Sequence, residues 1–151
     1  MAKRKGGVGM GLEYDLNELL IHTSGNLEGI LCLEHASNIN HLSTYPPLPI
    51  MIYKKCKLVI ERGCFQVIGV DKLDYSDCNK INDKLFVTNA ERTICEMIKH
   101  EREDSVIYES IDHYLRLNNK GIDTLRRYAE KYKIRSKLEE YLKTLEEYFM
   151  Q

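Results

Sequence analysis

The sequence predicts an α+β fold, with N-terminal helices, a small mainly antiparallel sheet and a helical C-terminal half packed on it. Short segments rich in Ile and Val, bounded by turn residues, fill the middle of the chain. Beyond Leu85 the apolar residues recur with the period of a helix. The 151 residues, 43% of them hydrophobic, suffice for one core. We therefore expect one domain over residues 12–151, preceded by an arm over residues 1–11.

The arm is predicted from composition. Met1–Gly11 holds four of the nine glycines and a basic triplet, so it buries too little apolar surface to order itself. A short helix is expected within Leu12–His22, where leucines follow helical spacing. Ile30–His41 fits either a short strand at its start or a helix, and we expect a helix from about Leu31. All three prolines lie in Tyr45–Pro49, which predicts a stiff connector.

The predicted sheet contains three short segments, Ile50–Lys54, Lys57–Glu61 and Cys64–Val70. The Arg62-Gly63 turn between the second and third predicts an antiparallel hairpin. The apolar residues around Gly69 indicate a strand that is buried on both faces or one that carries a bulge. The polar stretch Asp71–Asp83 follows and lacks the EF-hand pattern, so we interpret it as a solvated loop.

A strand at Leu85–Val87 is predicted to run directly into a helix that continues to Lys99. Thr88 is a candidate N-cap, and Glu91 stands three residues later, which is the spacing of a capping box. The helix should bury one apolar stripe. That stripe consists of Ala90, Ile94, Met97 and Ile98.

Three further helices are predicted, at Asp104–Leu117, Asp123–Lys133 and Ser136–Phe149. Gly121 suits the left-handed conformation that often follows a helix, and Asp123 suits the N-cap of the next one.

Composition excludes several functional classes. The longest apolar run is far too short to cross a bilayer, and no apolar segment of a secretory signal follows the basic N-terminus, so we expect a cytosolic protein that does not span a membrane. The five cysteines lack CxxC or Cys–His spacing, so we predict free thiols with no metal and no cofactor. These cysteines are Cys32, Cys56, Cys64, Cys78 and Cys95.

A net charge of −1 disfavours duplex DNA binding through the overall field, but local basic patches remain candidates. Lys54, Lys55 and Lys57 form one patch, and Arg126 and Arg127 lie beside tyrosines on a predicted helix. The favoured interpretation is a solvated surface. A nucleic-acid-binding regulator is the alternative.

An enzyme is the other alternative. Glu61 and Asp71 near the sheet edge, with Lys84 or Arg92, could serve a nuclease-like or phosphotransfer reaction. However, the sequence shows no glycine-rich phosphate loop after a strand and no nucleophile with an evident base. The chemistry therefore favours a binding module.

The order of elements resembles the AbiEi family of antitoxins from type IV toxin–antitoxin systems. The resemblance covers about Leu12 to the C-terminus, through GILCLEHA at Gly29–Ala36, YPPLPIMIY at Tyr45–Tyr53 and the closing helices. Its most specific part is Val87–Ile98, VTNAERTICEMI, where a strand passes through a polar turn into Glu-Arg-Thr and an apolar helix. One departure is Cys32–Leu42, where the family tends to show a Ser-Ala-Leu type of helix.

The resemblance implies a role in abortive infection, against a nucleotidyltransferase-like toxin that need not form a stable complex with the antitoxin. It also implies an N-terminal winged helix and transcriptional autoregulation. The Gly-rich segment at Met1–Gly11 stands where such a module would be finishing, so we expect the winged helix to be missing and DNA binding to be weak at most. Arg92, Thr93 and Glu96 are the candidate functional residues. For Arg92 we favour a structural anchor to a buried carboxylate such as Asp71 or Glu61 over a direct functional contact, and we favour a role in the junction for Thr93 and Glu96 in the same way.

Overall fold

The computed structural model describes residues 27–44, 49–56, 60–62, 65–117 and 121–149. The predicted arm, the predicted helix at Leu12–His22, most of the proline connector, Lys57 and Cys64 lie outside these ranges.

The architecture is α+β, as predicted, with a sheet in the first half of the described chain and mostly helix after it. The strands are β1 (Gly29–Leu31), β2 (Ile50–Lys55), β3 (Ile60–Arg62), β4 (Phe65–Val70), β5 (Cys78–Lys80) and β6 (Leu85–Thr88). The helices are α1 (Leu33–Ile39), α2 (Ala90–Lys99), α3 (Asp104–Leu117), α4 (Gly121–Lys131) and α5 (Arg135–Phe149).

The strands form one mixed sheet in the order β3-β4-β2-β1-β6-β5. Three of its pairings are antiparallel, and two, β1 with β6 and β2 with β4, are parallel. The predicted hairpin is confirmed as β3–β4, in which Ile60 stands opposite Val67. β1 lies in the middle of the sheet, between its antiparallel neighbour β2 and its parallel neighbour β6.

Both faces of β1 are buried, as the alternation of side chains along a strand requires. Ile30 belongs to the larger core that α2 to α5 form on one face of the sheet, whereas Leu31 belongs to a second cluster on the other face. Ile52 and Val87, on the strands beside β1, extend this second cluster. The sheet is therefore an inner layer of the fold.

The helix predicted from about Leu31 is present but starts two residues later, and its predicted start is a strand. Gly29–Leu31 is a strand, and α1 begins at Leu33, which adopts a positive φ of 53°. The apolar run Ile30–Leu33 is compatible with either a strand or a helix. Gly29–Leu31 forms a strand because it pairs with β2 on one side and β6 on the other. Ile30 stands opposite Tyr53 of β2 and Phe86 of β6.

The solvated loop predicted over Asp71–Asp83 contains a strand. β5 pairs antiparallel with β6, and Asn79 stands opposite Val87. The two alternatives for Gly69 are also wrong. β4 pairs with β2 residue for residue from Phe65 to Val70 without a bulge, and its side chains are half-buried.

The C-terminal helices lie close to their predicted positions. α3 has the predicted bounds, and α5 begins one residue earlier than predicted. Gly121 is wrongly predicted as a left-handed cap, since it is the first residue of α4 and has no positive φ. Of the described cysteines, Cys32, Cys78 and Cys95 are free thiols, as predicted. Within the described ranges, no helix combines the length and the apolar character needed to cross a membrane.

Asp77 joins the segment after β4 to helix α4. Its carboxylate accepts a hydrogen bond from the Tyr132 hydroxyl at 2.8 Å and pairs with Lys131. Partial burial alone would raise the pKa of Asp77, but hydrogen bonds from Lys131 and Tyr132 hold it below the ordinary value. The contribution of Asp77 to stability is therefore present above the ordinary pKa of aspartate, about 4, and is lost as the pH falls.

Asp77→Asn should lower stability at pH 7 and reduce the further loss of stability between pH 5 and pH 3. Urea unfolding across that range measures both effects. The matched control is Asp71→Asn, at an exposed carboxylate earlier in the same segment, which should retain the wild-type acid dependence. Equal acid dependence of the wild type and Asp77→Asn would contradict the assignment.

Candidate functional site

The candidate site is built on the junction between β6 and α2. The N-cap of α2 is Asn89, whose side-chain oxygen accepts a 2.8 Å hydrogen bond from the Arg92 backbone N–H. The prediction that Thr88 caps the helix is therefore wrong by one residue, because Thr88 is the last residue of β6. Glu91 also does not complete a capping box with Thr88. Its carboxylate accepts a hydrogen bond from the Tyr114 hydroxyl at 2.6 Å.

Thr93 fastens α2 to the end of β6. Its fully buried hydroxyl donates a hydrogen bond to the Asn89 carbonyl oxygen at 2.7 Å. A second hydrogen bond, of 2.6 Å, joins the hydroxyls of Thr88 and Thr93. Because the Thr93 proton is already donated to Asn89, Thr88 is the donor in this second bond. Both hydroxyls are thus used within the junction. Thr93, one of the three candidate functional residues, has a structural role here.

Arg92 connects α2 to the segment between β4 and β5. Its guanidinium Nη1 donates to the carbonyl oxygens of Asp74 at 2.6 Å and Ser76 at 2.8 Å, and lies 3.2 Å from the Cys78 sulfur. Its Nε lies 3.1 Å from a carboxylate oxygen of Glu96, and both side chains are largely buried. The structure thus gives Arg92 a carboxylate on its own helix, one turn away.

The predicted anchors of Arg92, Asp71 or Glu61, are wrong. Asp71 is exposed beyond the end of β4, and Glu61 lies on β3, at the sheet edge. The guanidinium instead holds main-chain carbonyl groups, which any residue type supplies. This kind of partner leaves no signature in the sequence.

Glu96 extends the cluster towards the sheet. Its carboxylate accepts a hydrogen bond from the Tyr53 hydroxyl at 3.2 Å, and that hydroxyl lies 3.5 Å from Nε2 of His100. Burial raises the pKa of Glu96, and Arg92 opposes this effect. Burial also raises the pKa of the Tyr53 hydroxyl, which therefore remains a hydrogen-bond donor. Partial burial lowers the pKa of His100, although the charge of Glu96 acts to raise it.

One pocket of about 320 Å³ lies between the sheet and α2. It is lined by the four side chains just described, Tyr53, Arg92, Glu96 and His100. Its volume is at the lower end of the range for small-molecule sites. The remaining lining residues are Ile30, Ile68, Gly69, Val70, Lys72, Leu73, Asp74, Lys99 and Tyr132.

The structure brings together two of the three candidate residues, Arg92 and Glu96. It adds Tyr53 and His100, which the sequence analysis does not single out. His100 could have been found, since Arg92, Glu96 and His100 are spaced four residues apart and so share one helix face. Tyr53 could not, because it reaches Glu96 only through the position of β2 in the sheet.

The candidate nucleic-acid contacts lie on separate elements. Lys54 and Lys55 end β2, whereas Arg126 and Arg127 belong to α4. The Arg126 guanidinium makes two 2.9 Å hydrogen bonds to the Glu139 carboxylate. Arg127 is exposed and bonds to the Thr124 hydroxyl. The described part of these two patches is thus divided between the sheet and the helical half.

The residues of the enzyme alternative do not meet in this pocket. Asp71 follows β4 and Lys84 precedes β6, and two strands separate β4 from β6. Of these residues, Arg92 lines the pocket, while Asp71 and Lys84 do not. In the described part of the chain, no three His, Cys, Asp or Glu side chains are grouped so that they could hold a metal ion.

No protein-family model matches the sequence, and no curated protein matches it.

Proposed function

We propose that this chain is an antitoxin-like regulatory module of a type IV toxin–antitoxin system, countering a nucleotidyltransferase-like toxin. The proposal rests on the resemblance of Val87–Ile98 to the antitoxin family. One structural observation supports it. The Glu-Arg-Thr residues of that segment serve the architecture of the chain, since Arg92 and Thr93 are 4% and 0% exposed and are bonded to groups of the same chain.

This arrangement suits a module that acts through its surface. A group that attacks a substrate must be reachable, whereas the Arg92 guanidinium is bonded to two carbonyl oxygens and paired with Glu96. The junction fixes how α2 and the segment after β4 lie against the sheet. We therefore assign antitoxin action to the exposed surface of these elements, with the Glu-Arg-Thr residues as its framework.

Co-expression with the neighbouring gene tests the proposal. We expect that gene alone to arrest growth of a bacterial host under inducible control, and expression of this chain to restore growth. The matched control is Thr93→Val, which keeps the shape of the side chain and removes the hydroxyl that fastens the junction. Because the junction is the framework, rescue should weaken in proportion to the fraction of folded protein. A neighbouring gene that is not toxic, or toxicity that this chain leaves unchanged, would refute the proposal.

A further inference from the structure

The pocket beside α2 has walls and a mouth of different character. The walls are the aliphatic side chains of Ile30, Ile68 and Val70 and two tyrosine rings, Tyr53 and Tyr132. Apolar and aromatic walls of this kind receive the flat or hydrocarbon body of a small ligand. At about 320 Å³, the space suits a small ligand of about the size of a mononucleotide.

The mouth is positively charged. Lys72, in the segment after β4, and Lys99, at the end of α2, line the pocket with exposed side chains. Neither has an ion-pair partner among the residues that the structure describes. His100 adds an imidazole that can donate a hydrogen bond and gain a proton beside an anion.

The carboxylates of the pocket are already engaged. Glu96 is paired with Arg92, and the Asp74 carboxylate accepts hydrogen bonds from the Ser76 hydroxyl at 2.7 Å and the Ser76 backbone N–H at 3.0 Å. The two lysines thus have no counter-ion within the described ranges. A ligand that enters the pocket would supply one.

The geometry of the charges favours a phosphate over a carboxylate. Lys72, Lys99 and His100 reach the pocket from two elements, the segment after β4 and the end of α2, whereas a carboxylate presents only two oxygens, in one plane. A phosphate monoester presents three oxygens in different directions and carries nearly two negative charges at pH 7. Lysine is a common phosphate ligand because its ammonium group acts as a point charge.

We propose that this pocket binds a small phosphomonoester with a flat organic body, of the size of a nucleoside monophosphate. Lys72, Lys99 and His100 hold the phosphate, and the tyrosine and aliphatic walls hold the body. This binding site is separate from the proposed antitoxin action and does not depend on it.

Isothermal titration calorimetry on the purified full chain, at pH 7 and low salt, tests the inference. The probes are adenosine and uridine 5′-monophosphate, phenyl phosphate, adenosine and inorganic phosphate. We expect saturable binding of at least one monoester, and at least tenfold weaker binding of adenosine and of inorganic phosphate. Absence of binding by all three monoesters, or equal affinity for inorganic phosphate, would overturn the inference.

Charge variants locate the site. Lys72→Ala and Lys99→Ala should each weaken monoester binding by about fivefold to tenfold, as the loss of one exposed charge near an anion implies. Lys84→Ala removes the same charge from an exposed lysine that does not line the pocket, and should leave the affinity unchanged. All three sites are exposed, so circular dichroism should show wild-type folding. An equal loss of affinity in Lys84→Ala would overturn the assignment to this pocket.

Discussion

Arg92→Met should lower the free energy of unfolding by about 3–5 kcal/mol, the usual cost of removing one partner from a buried ion pair. The substitution leaves the Glu96 carboxylate buried without its cation and deprives the carbonyl oxygens of Asp74 and Ser76 of their donor. Methionine fills much of the volume, so little of the effect should come from a cavity. Urea unfolding at pH 7 measures the loss.

The charge of Glu96 should make the effect of Arg92→Met depend on pH. Without the arginine, burial raises the pKa of Glu96 further, so the carboxyl group takes up a proton as the pH falls and its unpaired charge disappears. The difference from the wild type should be smaller at pH 5 than at pH 7.

The control is Arg116→Ala, which breaks an exposed pair with Asp112 one turn away and should cost at most about 1 kcal/mol. A loss for Arg92→Met no larger than that of the control would contradict a buried anchoring role for Arg92.

Gly29→Ala should destabilise the protein by about 3 kcal/mol or more, through backbone strain and overpacking together. Gly29 adopts a φ of 141°, which residues with a Cβ rarely adopt. An added Cβ would collide with the carbonyl oxygen of Tyr53 and come within 3.0 Å of the Ile52 side chain. Neither neighbour can move freely, because both belong to β2, which lies between β1 and β4. Thermal and urea unfolding measure the loss.

Gly69→Ala is the matched control for this substitution. Gly69 lies within β4 with no positive φ and pairs regularly with Lys54. Alanine there should change stability by no more than about 1 kcal/mol. Similar effects at the two glycines would contradict the role assigned to the backbone of Gly29.

The helical half could be predicted from the sequence because its signals are local. The bounds of α3 follow from apolar spacing and polar ends alone. The predicted N-cap of α2 lies one residue before the observed one, because Thr88 and Asn89 both carry a side chain that can cap a helix. Choosing between them requires knowing that Thr88 still pairs in the sheet, opposite Cys78.

The sheet was predicted less well because distant pairing forms it. β5, with the sequence Cys-Asn-Lys, has no apolar alternation and is a strand only because β6 lies beside it. In the site, Arg92 and Glu96 could be singled out from a short stretch of sequence. The contribution of Tyr53 requires β2 to be placed, and the partners of Arg92 are main-chain atoms.

The central position of β1 also sets an order of folding during synthesis. β1 can pair with β2 once residue 55 has left the ribosome, but its parallel partner begins only at Leu85. Until then the strand that will lie at the centre of the sheet has an open edge with two strongly apolar side chains, Ile30 and Leu31, which is the kind of edge that promotes aggregation. The segment that closes this edge leads directly into Arg92 and Glu96. The segment that covers the apolar edge of β1 is therefore the same one that brings Arg92 and Glu96 to the pocket.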